Sequence, residues 1–249
     1  MMIPESLAYA AGPAGMRDDL IGAHQRAWQR LARTGTWWRG EERLAIAAEV
    51  RNAPACPLCA ERKVALSPNM VQGSHASVAA LPAPAIEAIH RIVTDAPRLT
   101  ERWYQGLLEN GLSDGQYVEL IAVLATTITI DSFTDALGLA RHDLPEAEAG
   151  APAGKRPAGA KGGLAWVPTV APEDVTEAEA GLYDGLAGVN IHRALSLVPD
   201  EVKGFFDLDS VHYLPDAKLR DFGAGLRAID NAQIELLAAR VSAINQCVY

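Results

Sequence analysis

The stretch Leu112–Arg141, LSDGQYVELIAVLATTITIDSFTDALGLAR, decides the fold class. Its middle, TTITI, is a β-branched run that suits a strand. Against a strand stand its length, several times that of an ordinary one, and the absence of a strict apolar/polar alternation. Ser113 stands where a helix N-cap would, just ahead of the apolar run. One long buried helix is expected. Its longest apolar stretch, YVELIAVLATTITIDSF (117–133), carries Glu119, Asp131 and several hydroxyl side chains and reads as too polar and too short to span a bilayer.

Helical spacing recurs on both sides of it. AHQRAWQRLART (23–34) puts Ala23, Trp28, Leu31 and Ala32 roughly on one face, with Gly35 as a stop. GEERLAIAAEVRNAP (40–54) reads as a helix with acidic residues in its first turn and Pro54 at its end. PNMVQGSHASVAALPAP (68–84) reads as connecting loop with a short turn, and two further helices follow in 84–100 and 101–111. Residues 146–165, rich in Ala, Gly and Pro, show no periodic apolar face and read as a linker. Beyond it, Thr176 is expected to cap a short helix, and two more helices should divide around Pro199. A last helix in 230–245 carries an apolar stripe of Ile234, Leu237, Val241 and Ile244. The expected fold is all-α, with a helical unit in 1–145, the linker 146–165 and a second unit in 166–249.

Composition agrees. Aromatics at 6% and abundant alanine favour closely packed helices, and 249 residues suffice for a real core. A net charge of −9 argues against a nucleic-acid partner. The N-terminal stretch has no basic segment followed by an apolar core, so no secretory leader is expected. Two of the three cysteines form a tight C-x-x-C, which fits a reducing, cytoplasmic setting better than a disulfide scaffold.

The chemistry sits in NAPACPLCAERK (52–63). Pro57 suits the first position of a helix, which makes Cys56 the N-cap and puts Cys59 in the first turn. Free backbone N–H groups and the helix dipole there lower a thiol pKa. Two intervening residues let the sulfurs approach disulfide distance, so one thiolate can attack and its neighbour resolve the product. A structural pair of reduced cysteines is the blander alternative. A zinc site is disfavoured, because His75 and His90 follow Cys59 at intervals matching no common pattern. No metal or cofactor is expected. His90 and His192 read as ordinary core or interface histidines, while His24, His75, His142 and His212 carry no spacing signal. Glu119, in an apolar run, reads as a paired structural carboxylate or, more sharply, as a base of raised pKa.

Aligned without gaps on Cys56 and Cys247, the two cysteine contexts share Ala47/Ala238, Ala48/Ala239 and Val50/Val241. Each presents an amphipathic helix, a break and a cysteine, which suggests an internal duplication. The ending IELLAARVSAINQCVY (234–249) resembles the active-site approach of the alkylhydroperoxidase D-like, or carboxymuconolactone decarboxylase-like, family. Glu235, Arg240, Val241, Ser242, Asn245 and Cys247 match its motif in order and spacing. RALSLVPDEVKGFF (193–206) looks like the helix that opens such a domain. The match is good over about 190–249 and looser in the first unit.

The resemblance implies an all-helical oligomer and a thiol peroxidase or a decarboxylase lacking the dithiol. It implies Cys59 as the attacking thiolate, Cys56 as resolving partner, a carboxylate–histidine proton relay and regeneration by an external dithiol. The chain departs from the pattern where it stops at Tyr249, before a second cysteine and histidine, and where Lys63 replaces the first unit's histidine. Glu49 or Glu42 could stand in for the relay carboxylate, helped by Glu119 or His90. The candidate site residues are thus Cys56, Cys59, Glu235, Cys247, Glu119 and His90. The expected activity is peroxide reduction, against a non-catalytic scaffold with a vestigial dithiol or a lyase. Neither a nucleic acid nor a membrane is an expected partner.

Overall fold

The computed structural model describes residues 16–219, 221, 223, 225–245 and 247. The stretch read for a leader lies mostly outside them, as do Gln246 and Tyr249. Helix accounts for 57% of the chain and strand for 2%, so the all-α expectation holds. The helices, in order, are α1 (Asp18–Ala32), α2 (Gly40–Asn52), α3 (Pro57–Val64), α4 (Ala83–Asp95), α5 (Glu101–Glu109), α6 (Asp114–Ala136), α7 (Asn190–Arg193), α8 (Pro199–His212) and α9 (Asn231–Ile244).

The deciding stretch is α6, a single helix through TTITI. Ser113 Oγ accepts from the Gln116 N–H at 3.1 Å, and Gln116 Oε1 accepts from the Ser113 N–H at 2.9 Å. This reciprocal cap contributes about 1 kcal/mol. The threonines are accommodated by bonding back along the helix. Thr127 Oγ1 donates to the Val123 carbonyl and Thr134 Oγ1 to that of Ile130, both at 2.8 Å.

This helix lacks a polar face because it lies between two cores. Leu120, Val123, Leu124 and Ile130 join the core of α1, α2 and α4. Val118 and Ala122 join a second core built from Val170, Leu182, Leu197 and Val202. By length and composition α6 could cross a membrane, but 61% of its apolar window is buried inside the protein.

The segment read as a linker has no α-helix and is tied to the N-terminal helices. The Glu148 N–H donates to the Ala32 carbonyl at 2.8 Å and the Gly154 N–H to that of Thr36 at 2.7 Å. A two-residue antiparallel pairing joins β1 (Ala160–Lys161), inside that segment, to β2 (Thr169–Val170), just after it, and was not anticipated. Thr176 caps only a 3-10 turn, Glu177–Glu179. The divide at Pro199 is as expected, with that proline opening α8.

The C-terminal segment packs onto the first. Leu208 of α8 belongs to the same core as α1. Arg26 makes a two-pronged contact with Asp207 at 2.9 Å on each prong. Deeper, Arg43 Nη1 lies 2.6 Å from both Glu119 and Glu201. The same Glu119 accepts from the Trp37 N–H at 2.7 Å. Gly35 permits this approach, since a Cβ there would stand 1.8 Å from Glu119 Oε1.

The stripe on α9 is where packing departs from expectation. Ile234 is buried, but Leu237, Val241 and Ile244 are 57%, 56% and 63% exposed. Leu236 joins them at 71%, so the apolar surface of α9 faces outward.

Candidate functional site

The dithiol is placed by proline chemistry. The 3-10 turn Ala53–Ala55 carries Pro54 and ends α2, and Pro57 opens α3. Cys56 sits at the N-cap with extended backbone, its carbonyl accepting from the Ala60 N–H at 3.1 Å. Cys59 occupies the first turn. Both are reduced and buried, at 1% and 2% exposure.

Two histidines converge on them from different elements. His90, midway along α4, brings Nδ1 to 3.2 Å from Cys59 Sγ. His75, from the extended segment between α3 and α4, places Nδ1 at 3.6 Å from Cys56 Sγ and 3.5 Å from Cys59 Sγ. The imidazole rings are 4.2 Å apart between centroids, tilted by 38°. All four donor atoms lie within 4.8 Å of one another, close enough to share one metal ion.

Each histidine is backed by a carboxylate. His90 Nε2 donates to Glu49 at 2.6 Å, and His75 Nε2 donates to Glu87 at 2.8 Å. Glu49, in the last turn of α2, also accepts from Asn52 Nδ2 at 3.0 Å, Ser77 Oγ at 2.8 Å, and the Val78 and Ala79 N–H groups at 2.9 and 3.0 Å. It therefore anchors the segment that carries His75. Glu87 additionally accepts from Arg62 Nη1 at 2.8 Å and Trp103 Nε1 at 3.2 Å. Arg98 satisfies the open C-terminus of α3, donating to the carbonyls of Arg62, Lys63 and Ala65.

These contacts govern protonation. Burial pushes the Cys59 thiol up, but hydrogen bonds from His75, His90 and Thr94 outweigh it and bring it down to about 6. Cys56 is lowered too. Burial opposes that shift, and the backbone N–H groups of Cys59 and Ala76, with His75, drive it. For His75 burial acts downward, while its bonds to Cys59 and Glu87 raise it to about 10. His90 is raised against its burial by Cys59 and Glu49. Burial raises Glu87 and Glu49, yet the donors around them win; Glu87 falls to about 2 and Glu49 below the usual carboxylate range. The arrangement favours a Cys59 thiolate beside a protonated imidazole.

A cavity of 480 Å³ borders the site, and Arg62, Glu87, Trp103 and Arg102 help to line it. It meets the His75 branch, whose side chain is 8% exposed, rather than the fully buried His90.

Of the six candidate residues, Cys56, Cys59 and His90 come together. Glu119 lies apart, bound to Arg43 and Trp37. Burial pushes its carboxyl up, Arg43 pulls it down and Glu201 pushes it up again, leaving it above the ordinary value. Glu235 accepts from Tyr213 Oη at 2.5 Å, away from any thiol in the described residues. Cys247 is exposed beyond the end of α9, with its N–H bonded to the Ser242 carbonyl at 3.0 Å. Of the two stand-in carboxylates, Glu49 reaches His90, whereas Glu42 serves in the cap of α2, accepting from the Arg39 N–H at 2.8 Å.

Sequence reasoning missed His75 and Glu87. His75 stands in an extended segment without periodicity, and its interval from Cys59 matches no common ligand spacing. One signal was present: Glu87, His90 and Thr94 fall at i, i+3 and i+7 on one face of a helix, a polar stripe on an otherwise apolar element. No family model, no curated protein and no solved structure matches this chain.

Proposed function

We propose that this chain is a thiol peroxidase of the alkylhydroperoxidase D-like kind, working with its dithiol in a reducing compartment. The observation that carries the reading is the Glu49–His90–Cys59 series, with contacts of 2.6 and 3.2 Å. It supplies the carboxylate–histidine relay whose usual histidine position holds Lys63. His75 and Glu87 form a second relay on the side of the cavity.

In this reading the Cys59 thiolate attacks the outer peroxide oxygen. The O–O bond breaks, Cys59 becomes a sulfenic acid, and the departing oxygen takes a proton from the imidazolium of His75. Cys56, deprotonated through His75, then attacks Cys59 Sγ. A disulfide forms and the hydroxyl leaves as water. An external dithiol restores both thiols by exchange. The near-complete burial of both sulfurs favours a small peroxide over a bulky one.

The two-unit organisation belongs to the same proposal. In both halves a helix of comparable length, α2 or α9, is followed by a short break and then a cysteine. The outward apolar surface of α9 supports an oligomer.

Steady-state peroxide consumption with a small dithiol tests the reading. Cys59→Ser should abolish turnover. Cys56→Ser should consume one equivalent and stop with an added oxygen on Cys59. Undiminished turnover in both variants would sink the assignment.

A further inference from the structure

We propose that the reduced site is also a binding site for a borderline-soft divalent cation such as Zn(II) or Co(II). Its ligands would be Cys56 Sγ, Cys59 Sγ, His75 Nδ1 and His90 Nδ1, so that metal and disulfide are mutually exclusive states of one centre.

Tetrahedral zinc has bonds of about 2.3 Å to sulfur and about 2.0–2.1 Å to nitrogen, which sets sulfur–nitrogen edges of about 3.6 Å. Three of the four sulfur–nitrogen separations are 3.6, 3.5 and 3.2 Å, and the fourth, Cys56 to His90, lies within 4.8 Å. Closing such a cage needs shifts of a few tenths of an ångström, within side-chain freedom.

Both imidazoles turn Nδ1 inward and donate Nε2–H to a carboxylate, Glu87 for His75 and Glu49 for His90. When an incoming cation displaces the inward proton, that arrangement leaves the lone pair on Nδ1 and makes it more basic. A buried histidine needs one such partner to be satisfied. Two histidines so prepared and aimed at the same two sulfurs form a complete ligand set.

Two thiolates and two imidazoles select zinc or cobalt over magnesium or calcium, which prefer oxygen. The ligand set carries two negative charges, which neutralise the cation in a region closed to water.

Binding would cap both sulfurs and stop their attack on an oxidant. That consequence rests on the redox reading above, whereas cation binding itself does not.

The test uses the full chain, reduced, stripped with a chelator and kept free of oxygen. Co(II) is the probe. One equivalent should bind with the intense visible bands of tetrahedral cobalt and a sulfur-to-cobalt charge-transfer band. A small-molecule disulfide, leaving as two thiols while the Cys56 and Cys59 sulfurs bond, should abolish both. In Cys56→Ser the charge-transfer intensity should fall to roughly half, because one thiolate ligand remains. Glu87→Gln should weaken binding by about 10–100-fold without changing the ligand set.

The inference is overturned if reduced wild-type protein gives only the weak spectrum of six-coordinate cobalt. It is also overturned if the disulfide form binds as well as the dithiol. Both arms use wild-type protein, so neither depends on a variant folding. Cobalt binding without peroxide turnover would remove the redox reading and leave this one standing, and turnover without cobalt binding would do the reverse.

Discussion

Replacing Glu49 with glutamine tests the relay at its far end. One carboxylate oxygen of Glu49 accepts from Ser77 Oγ and the Val78 and Ala79 N–H groups. The other accepts from His90 Nε2 and Asn52 Nδ2. A glutamine keeps its carbonyl against the three donors and turns its NH₂ toward His90 and Asn52. Two donors then face a donor. His90 resolves its half of the conflict by moving its proton to Nδ1, so that it donates toward Cys59 Sγ and can no longer take a proton from it. General acid–base assistance is worth about 10²–10⁴-fold, and His75 remains as a second partner at 3.5 Å. The lower end applies, so Glu49→Gln should slow the reaction of Cys59 with hydrogen peroxide about 100-fold. Losing two hydrogen bonds to a charged acceptor while leaving Asn52 poorly satisfied costs about 2–3 kcal/mol. For a chain of this size that is a fall in Tm of roughly 5–10 °C. Stopped-flow measurement of the peroxide reaction gives the rate, and nitrogen chemical shifts of the imidazole give the tautomer. A wild-type rate with the proton still on Nε2 would refute the reasoning.

Two further predictions concern parts of the molecule away from the thiols. Glu119→Ala leaves Arg43 with Glu201 alone and the Trp37 N–H without its acceptor, so unfolding in urea should show a loss of about 3–5 kcal/mol, with thiol alkylation unchanged. A loss below about 1 kcal/mol would contradict a structural role for this carboxylate. His24 is fully buried, with Nε2 at 2.6 Å from His212 Nε2, and burial together with His212 and His142 lowers it to about 3. Because the folded value lies below the unfolded one of about 6.5, this group's contribution is complete above pH 6.5 and drains away as pH falls toward 3. By pH 5 roughly 2 kcal/mol should be gone, and His24→Gln should flatten the pH dependence of the urea midpoint between pH 7 and 5. An equally steep dependence in that variant would rule the group out.

What the sequence made legible was local. Ser113 with Gln116, and Cys56 with Pro57, fix helix starts through contacts spanning a few residues, and both appear where their spacing puts them. The TTITI run formed helix because α6 is enclosed by two cores, a tertiary condition that overrode its strand preference. His75 meets the dithiol, and Glu49 and Glu87 meet the two histidines, through loop closure, which only the Glu87, His90 and Thr94 stripe announces in its spacing. The stripe on α9 shows the opposite limit. Its periodicity was readable, but periodicity does not say whether a partner covers the face.

The ion pairs around Arg43 bear on the order of events during synthesis. Every group in the thiol site lies between Glu49 and Trp103, so the whole site is on the nascent chain before α6 and α8. Arg43 must wait for Glu119, and then for Glu201 on α8, before its guanidinium is neutralised. Until α8 emerges and docks, the N-terminal helices carry an incompletely compensated buried cation. The segment that ends far from the sulfurs thereby becomes the latch on their scaffold.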